Sequence, residues 1–159
     1  MRNLSYALVM LVASLMGTSF FEASAQEKEI AIVAHRGFWN CDEAGKAKNS
    51  VAGLEQAQKN DFWASEFDVN MTKDGELLVF HDGNVEGVSI EKHPASTFAY
   101  YRLKNGEPIP TLDQYLEQAK KAPETMLVFE LKTHLKKSSE SKAVKLSIEK
   151  LKEHVKEGK

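Results

Sequence analysis

Hydrophobic residues along the chain follow two periodicities, which predict strands alternating with helices. Residues 29–34 and 125–131 are continuous apolar runs, as in strands buried on both faces of a parallel sheet, and residues 62–70 alternate in polarity. Between and after these runs, apolar residues recur at helical spacing in three places: Val51, Leu54 and Ala57; Leu112, Tyr115, Leu116 and Ala119; and Val144, Ile148, Leu151 and Val155. The order β-α-β-α-β-α predicts an α/β fold with three right-handed βα units.

Polar residues at the helix starts and a tight turn refine this outline. Asn49-Ser50 can cap the first helix, and Thr111 with Gln114 has the spacing of a capping box. The turn at residues 72–75 joins residues 62–70 to another extended run, residues 76–81. So short a connection allows only antiparallel pairing. We therefore expect residues 71–107 to form a small excursion from the parallel sheet.

Length and charge limit the classes of protein that the chain can represent. A chain of 159 residues with 28% charged residues and a net charge of −2 is typical of one globular domain and lacks the excess of basic residues found in nucleic-acid-binding proteins. A complete eight-fold βα barrel needs about 250 residues. The lysine-rich helix after residue 138 also contains acidic residues, which favours a solvated face over a membrane surface.

The first 25 residues have the pattern of a secretory signal. Arg2 precedes an uncharged, mostly apolar run at residues 6–17, and Ala23-Ser24-Ala25 is a small-x-small cleavage site. We expect export to the periplasm or the extracellular space, with residues 26–159 as the mature chain; the alternative is an uncleaved anchor. The single cysteine, Cys41, cannot form an internal disulfide, and no neighbouring motif activates it.

Charged residues that could carry chemistry end four extended segments. His35-Arg36-Gly37 follows the first strand, and the arginine suits a phosphate or a carboxylate. Glu66 and Asp68 project from the same face of the second strand, which indicates either a Mg²⁺ or Ca²⁺ site or a solvent-facing acidic surface. His81-Asp82 and Glu130-Leu131-Lys132 end the other two segments.

These clusters predict more together than singly. Glu130 could complete a three-carboxylate metal site, while Lys132 could hold a phosphate oxygen or pair with a carboxylate. A lone histidine such as His81 is usually structural, but two histidines at one rim could act as acid and base. Three carboxylates, two histidines, an arginine and a lysine suit metal-assisted phosphodiester hydrolysis.

In these motifs the sequence resembles the glycerophosphodiester phosphodiesterase family. The resemblance runs in order through almost the whole mature chain: His35-Arg36-Gly37, Asn49-Ser50, Glu66-Phe67-Asp68, residues 72–75, residues 79–82, residues 109–112 and Glu130-Leu131-Lys132. It implies part of a TIM barrel with a small insertion after the second strand. It also implies hydrolysis of a small-molecule glycerophosphodiester to sn-glycerol 3-phosphate and an alcohol.

The resemblance further implies a role for each site residue. Glu66, Asp68 and Glu130 would hold a divalent cation, Mg²⁺ or Ca²⁺. His35 and His81 would be the acid/base pair. Arg36 and Lys132 would steady the phosphate and the carboxylates.

Two departures from the family pattern are visible. Lys48 stands where the family usually has a glutamate before the Asn-Thr/Ser pair, which reverses a charge beside the site. The chain also holds about three of the eight βα units, so we expect it to be a truncated or partial sequence. The alternatives are a phospholipase D-like barrel that acts on phospholipids, and an inactive fragment that only binds its ligand.

Overall fold

The computed structural model describes residues 30–157, with side chains as far as His154. The predicted signal segment, residues 1–25, lies outside the described residues. The described elements, in chain order, are β1 (Val33–Ala34), α1 (Val51–Lys59), β2 (Ala64–Met71), β3 (Leu77–Val79), β4 (Asn84–Val85), β5 (Val88–Ser89), a 3₁₀ helix (Ala95–Phe98), α2 (Leu112–Ala119), β6 (Met126–Leu131) and α3 (Lys137–Glu157). No helix among these is both long and apolar enough to cross a bilayer.

Strand β2 is the centre of the main sheet. On one edge it pairs in parallel with β6 from Ala64 to Val69. Two strands share its other edge: β1 pairs in parallel at Ala64 and Ser65, and β3 pairs antiparallel from Val69 to Met71. The predicted parallel sheet and the antiparallel excursion are both confirmed.

The two faces of β2 differ in chemistry because successive side chains point to opposite sides. Phe67, Val69 and Met71 face the helices and belong to the main hydrophobic core. The Phe67 ring lies 4.6 Å from the Tyr115 ring of α2, centroid to centroid, and 5.5 Å from Phe129 of β6. Glu66, Asp68 and Asn70 therefore line the face opposite the core.

Capping side chains fix where the first two helices begin. Ser50 Oγ accepts a hydrogen bond from the Gly53 amide at 2.8 Å, and Thr111 and Gln114 form the predicted capping box. Glu107 supplies a cap that the sequence does not reveal, since its carboxylate accepts from the amides of Val51 and Ala52. The C-terminal end of the excursion is thus tied to the start of α1.

The excursion after β2 has a small core of its own. Strands β4 and β5 form a two-stranded antiparallel sheet, and the 3₁₀ helix follows. Its buried apolar residues form one cluster: Leu78, Val85, Ile90, Phe98 and Ile109. Because the excursion has its own core, it forms a folded subdomain that holds the loop after β3 in place.

Two strands differ from their predictions. Residues 29–34 and 125–131 were expected to be buried on both faces, and this is wrong: Ile30 and Ile32 are exposed, and β6 alternates between half-buried and exposed side chains, with Met126 half exposed. Among the described residues, β6 has a strand partner on one edge only.

The third helix also departs from its predicted apolar stripe. Ala143 is buried in α3, and Leu146 and Leu151 pack against the main core, whereas Val144 and Ile148 are nearly half exposed. Helix α3 contacts α2 and β2. The predicted helix is confirmed, but two of its four stripe residues do not face the core, and Val155 lies beyond the described side chains.

Candidate active site

Three carboxylates converge on the polar face of the sheet. Glu66 and Asp68 lie two residues apart on β2, and the parallel register places Glu130 of β6 beside Asp68. One carboxylate oxygen from each lies within 4.8 Å of the other two. Asp68 is 1% exposed and Glu66 is 9% exposed, while Glu130 opens to solvent. The structure brings these three predicted residues together, and their role as metal ligands stays a prediction.

Two cations partly neutralise this acidic cluster. Arg36 Nε lies 3.4 Å from Asp68 Oδ2, and Lys132 Nζ lies 3.3 Å from Asp68 Oδ1 and 2.6 Å from Glu130 Oε1. The hydrogen bond with Glu130, added to contact with Asp68, raises the pKa of Lys132. The described structure thus shows Arg36 and Lys132 against carboxylates; contact with a phosphate stays a prediction.

Glu66 remains electrostatically strained in this setting. Its burial raises the pKa of the carboxyl, and the nearby charges of Asp68 and Glu130 raise it further. The Arg36 amide, which donates to Glu66 Oε2 at 2.9 Å, opposes the shift without cancelling it. A carboxylate held at this cost is typical of a functional site.

The donor set fits a hard divalent cation. Glu66 Oε1 is buried and makes no hydrogen bond with any described residue, although a buried carboxylate oxygen normally has a partner. Oxygen ligands from Asp and Glu are those that Mg²⁺ and Ca²⁺ prefer. Glu66, Asp68 and Glu130 are therefore suitable ligands for such an ion, and their geometry does not distinguish the two metals.

A tight turn places His35 beside the carboxylates. His35 Nε2 lies 3.8 Å from Glu66 Oε2, and the ring is 70% exposed. Arg36 and Gly37 both have positive φ, at 63° and 78°. The Gly37 amide donates to the carbonyls of Ala34 and Glu66. A Cβ at Gly37 would lie 2.8 Å from the Gly53 backbone carbon, so the turn requires glycine.

His81 lies in a bend after β3 and is anchored to β2 through its backbone. Strand β3 ends at Val79, so His81 lies beyond the strand. The Phe80 amide donates to the Asp68 carbonyl at 2.9 Å. The His81 ring nitrogen Nδ1 lies 2.7 Å from Asp82 Oδ1, which leaves Nε2 available for proton exchange.

Two asparagines contribute to the site in ways that the sequence motifs do not reveal. Asn49 is buried with φ at 57°, and its Nδ2 donates to Asp68 Oδ2 at 2.9 Å while its Oδ1 accepts from the Asp68 amide. Asn70 Nδ2 donates to the Phe80 carbonyl at 2.7 Å and to the Asp82 carbonyl at 3.3 Å. The alternation along β2 that places Glu66 and Asp68 on one face also places Asn70 there, so the sequence pattern could have predicted that Asn70 faces the site.

A model of the Glycerophosphoryl diester phosphodiesterase family matches residues 35–159. The chain belongs to this family. Among curated relatives, a glycerophosphodiester phosphodiesterase of Bacillus altitudinis is 29% identical over 116 residues, which cover 65% of this chain and 46% of the relative. One from Caldanaerobacter subterraneus is 30% identical over 98 residues, which cover 54% of this chain and 39% of the relative. Both are named glycerophosphodiester phosphodiesterases, an activity that falls in the predicted class of phosphoric diester hydrolases.

Solved structures of the family share the fold. A glycerophosphodiester phosphodiesterase from Parabacteroides distasonis has a TM-score of 0.74 at 39% identity, over 77% of this chain and 50% of that one. An Oleispira antarctica phosphodiesterase, solved with the product sn-glycerol-3-phosphate, has a TM-score of 0.65 at 28% identity, over 79% of this chain and 53% of that one. The predicted family and the predicted partial barrel are confirmed, and the chain spans about half the length of these relatives.

Proposed function

We propose that this member of the glycerophosphoryl diester phosphodiesterase family hydrolyses glycerophosphodiesters to sn-glycerol 3-phosphate and an alcohol, with a divalent cation as cofactor. The main support is the cluster of Glu66, Asp68 and Glu130 within 4.8 Å, flanked by His35 and by two cations. The product bound to the Oleispira antarctica structure is consistent with this chemistry.

The residues have separable roles in this proposal. A bound divalent cation supplies positive charge that offsets the negative charge on the phosphate oxygens. Arg36 and Lys132 hold the carboxylates in place, and in this proposal they also contact the phosphate oxygens of the substrate. Asn49 fixes the orientation of the Asp68 carboxylate, and Asn70 fixes the backbone that carries His81.

The two histidines account for the proton transfers. The net reaction adds water across the bond between phosphorus and the alcohol oxygen, so one new P–O bond forms, one breaks and the alcohol gains a proton. His35 and His81 take these two roles, one removing the proton from the attacking oxygen and the other protonating the leaving oxygen. Asp82 orients the His81 ring through Nδ1.

The test is release of glycerol 3-phosphate from glycerophosphocholine, with and without EDTA. We expect turnover to stop in EDTA and to resume when Mg²⁺ or Ca²⁺ is added. His35→Ala and His81→Ala should each abolish turnover while metal-induced thermal stabilisation persists. His93→Ala, an exposed histidine of the excursion, is the matched control. Loss of metal stabilisation in the His35 and His81 variants would contradict the proposed roles, and binding without turnover by the unaltered chain would favour a binding-only function.

We also propose export, on the basis of residues 1–25 alone. Expression with the native N-terminus should yield an exported protein that begins at Gln26. Recovery of the uncleaved chain in the membrane fraction would favour the anchor instead.

A further inference from the structure

A basic groove lies beside the candidate active site. It has a volume of about 460 Å³, which is in the range of small-molecule sites. Its wall carries four cationic and two aromatic side chains: Lys46, Lys48, Arg102, Lys104, Trp39 and Phe80. No acidic side chain of the described chain lines it. Lys46 pairs with Asp42, which faces solvent, at 3.0 Å.

Three segments of chain link groove residues to site residues. Phe80 immediately precedes His81, and its amide is bonded to the Asp68 carbonyl. Trp39 follows the turn that carries His35 and Arg36. Lys48 precedes Asn49, whose side chain holds the Asp68 carboxylate. Because groove residues adjoin site residues along the chain, we expect one of the two substituents of a phosphodiester bound at the carboxylates to extend toward the groove.

A hydrogen bond joins two of the loops that line the groove. Asn105 Nδ2 donates to the Ala44 carbonyl at 3.2 Å, which ties the loop of Lys104 to the loop of Lys46. Glu107, the acidic residue at the end of that loop, accepts hydrogen bonds from the α1 amides and does not line the groove. The cationic side chains are thus presented on a fixed frame.

The aromatic lining does not suit a cationic head group. Of the two aromatic rings in the groove, that of Trp39 is better suited to bind a quaternary ammonium group through its face. That face is occupied by Lys48, whose Nζ lies 4.7 Å from the ring centroid. With Lys46, Arg102 and Lys104 around it, the groove repels an ammonium group and attracts an anion.

We propose that this groove binds the alcohol part of the substrate and selects alcohols that carry a second negative charge, such as a further phosphate. This inference rests on the proposed function, since it assigns the substrate class of the same site. The groove then discriminates by charge: anionic alcohols are favoured, neutral polyols are intermediate and choline-like alcohols are disfavoured.

The test compares three diesters that differ in the charge of the alcohol. They are bis(glycerophospho)glycerol, glycerophosphoglycerol and glycerophosphocholine. We expect kcat/KM to fall in that order, with roughly tenfold between the first and the last at low salt, as a few close charge contacts would give, and less in 0.5 M NaCl. The double variant Lys48→Gln/Lys104→Gln should remove most of this preference. Lys145→Gln/Lys152→Gln, which removes two exposed lysines of α3, is the charge-matched control.

A binding measurement separates failure of this inference from failure of the proposed function. In EDTA, titration of bis(glycerophospho)glycerol is followed by Trp39 fluorescence in a Trp63→Phe background. Binding that weakens roughly tenfold in the Lys48/Lys104 variant, and not in the control, supports the groove even if no diester is turned over. An unchanged order of kcat/KM, or unchanged binding, in that variant overturns it. If the Lys48/Lys104 variant instead loses sedimentation with phosphatidylglycerol vesicles while its diester binding and selectivity stay unchanged, the groove is a lipid-binding surface. That result would overturn the inference.

Discussion

Replacing Glu66 by glutamine should make the metal-free protein more stable while removing its response to metal. Glu66 Oε1 is buried without a hydrogen bond, and two further carboxylates lie within 4.8 Å. A glutamine keeps the shape, can still accept from the Arg36 amide, and turns its NH₂ group toward the neighbouring carboxylates. The substitution thus converts a repulsive contact into an attractive one.

The magnitude follows from the charges at the site. At an effective dielectric constant of ~20, two unit charges 4.8 Å apart repel by roughly 3 kcal/mol. Arg36, Lys132 and the solvent around Glu130 offset most of this. We therefore expect Glu66→Gln to increase the free energy of unfolding in EDTA at pH 7 by about 1 kcal/mol, and the melting temperature by about 4 °C.

The pH dependence provides a second signature. The raised pKa of Glu66 means that the folded state holds this proton more tightly than the unfolded state does. The penalty is therefore absent below the ordinary glutamate pKa of 4.5, and it develops as pH rises through the raised value. The stability advantage of glutamine should grow over the same pH range and then level off.

The assay is urea unfolding from pH 4 to pH 8, in EDTA and in Mg²⁺ or Ca²⁺. Either ion should stabilise the wild-type chain at pH 7 and should have little effect on Glu66→Gln. Glu124→Gln, which removes an exposed carboxylate before β6, is the control and should change stability by less than about 0.5 kcal/mol. A less stable Glu66→Gln protein in EDTA, or equal stabilisation of both proteins by metal, would refute the reasoning.

Two further substitutions test the frame around the site. Gly37→Ala should lower the free energy of unfolding, measured in urea, by about 2 kcal/mol or more because the new Cβ meets the Gly53 backbone. Gly106→Ala is the control: its φ is similar but its Cβ would lie in open space, so it should cost only about 1 kcal/mol. Equal costs would show that the close approach to Gly53 does not limit residue 37 to glycine. Burial opposes ionisation of Asp113, but hydrogen bonds from Lys150 and His154 outweigh it and lower its pKa. Its contribution is therefore present above the ordinary aspartate pKa and is lost as pH falls through the lowered value. Asp113→Asn should accordingly cost about 0.5 kcal/mol at pH 7 and progressively less below pH 4, and a cost independent of pH would contradict this.

The sequence predicted where helices begin more accurately than it predicted which strand faces are buried. Capping by Ser50 and Thr111 depends on neighbouring residues, so their side chains were sufficient to place the helix starts. Whether Met126 is covered depends on what packs against the far side of β6, and the composition of the strand carries no information on that point. An apolar run typical of a doubly covered strand is consequently found with one face open.

In the candidate site, too, the features set by local sequence pattern were predicted and those set by packing were not. Alternation along β2 was enough to place Glu66 and Asp68 on one face, and the ends of parallel strands brought Glu130 to them. The roles of Asn49 and Asn70 depend on positive φ at one position and on where a loop returns to the sheet. Those are properties of three-dimensional packing, which a single sequence does not reveal.

The sharing of one edge of β2 between β1 and β3 has a consequence for how the site is built. The edge changes from a parallel to an antiparallel partner along the same strand that carries Glu66 and Asp68. The antiparallel partner lets a hairpin return His81 to this strand within a few residues, without a further turn of the barrel. All the proposed ligands and both histidines consequently come from the continuous stretch between His35 and Lys132. The proposed reactive centre and the groove that we propose for substrate choice are thus built from the same stretch of chain.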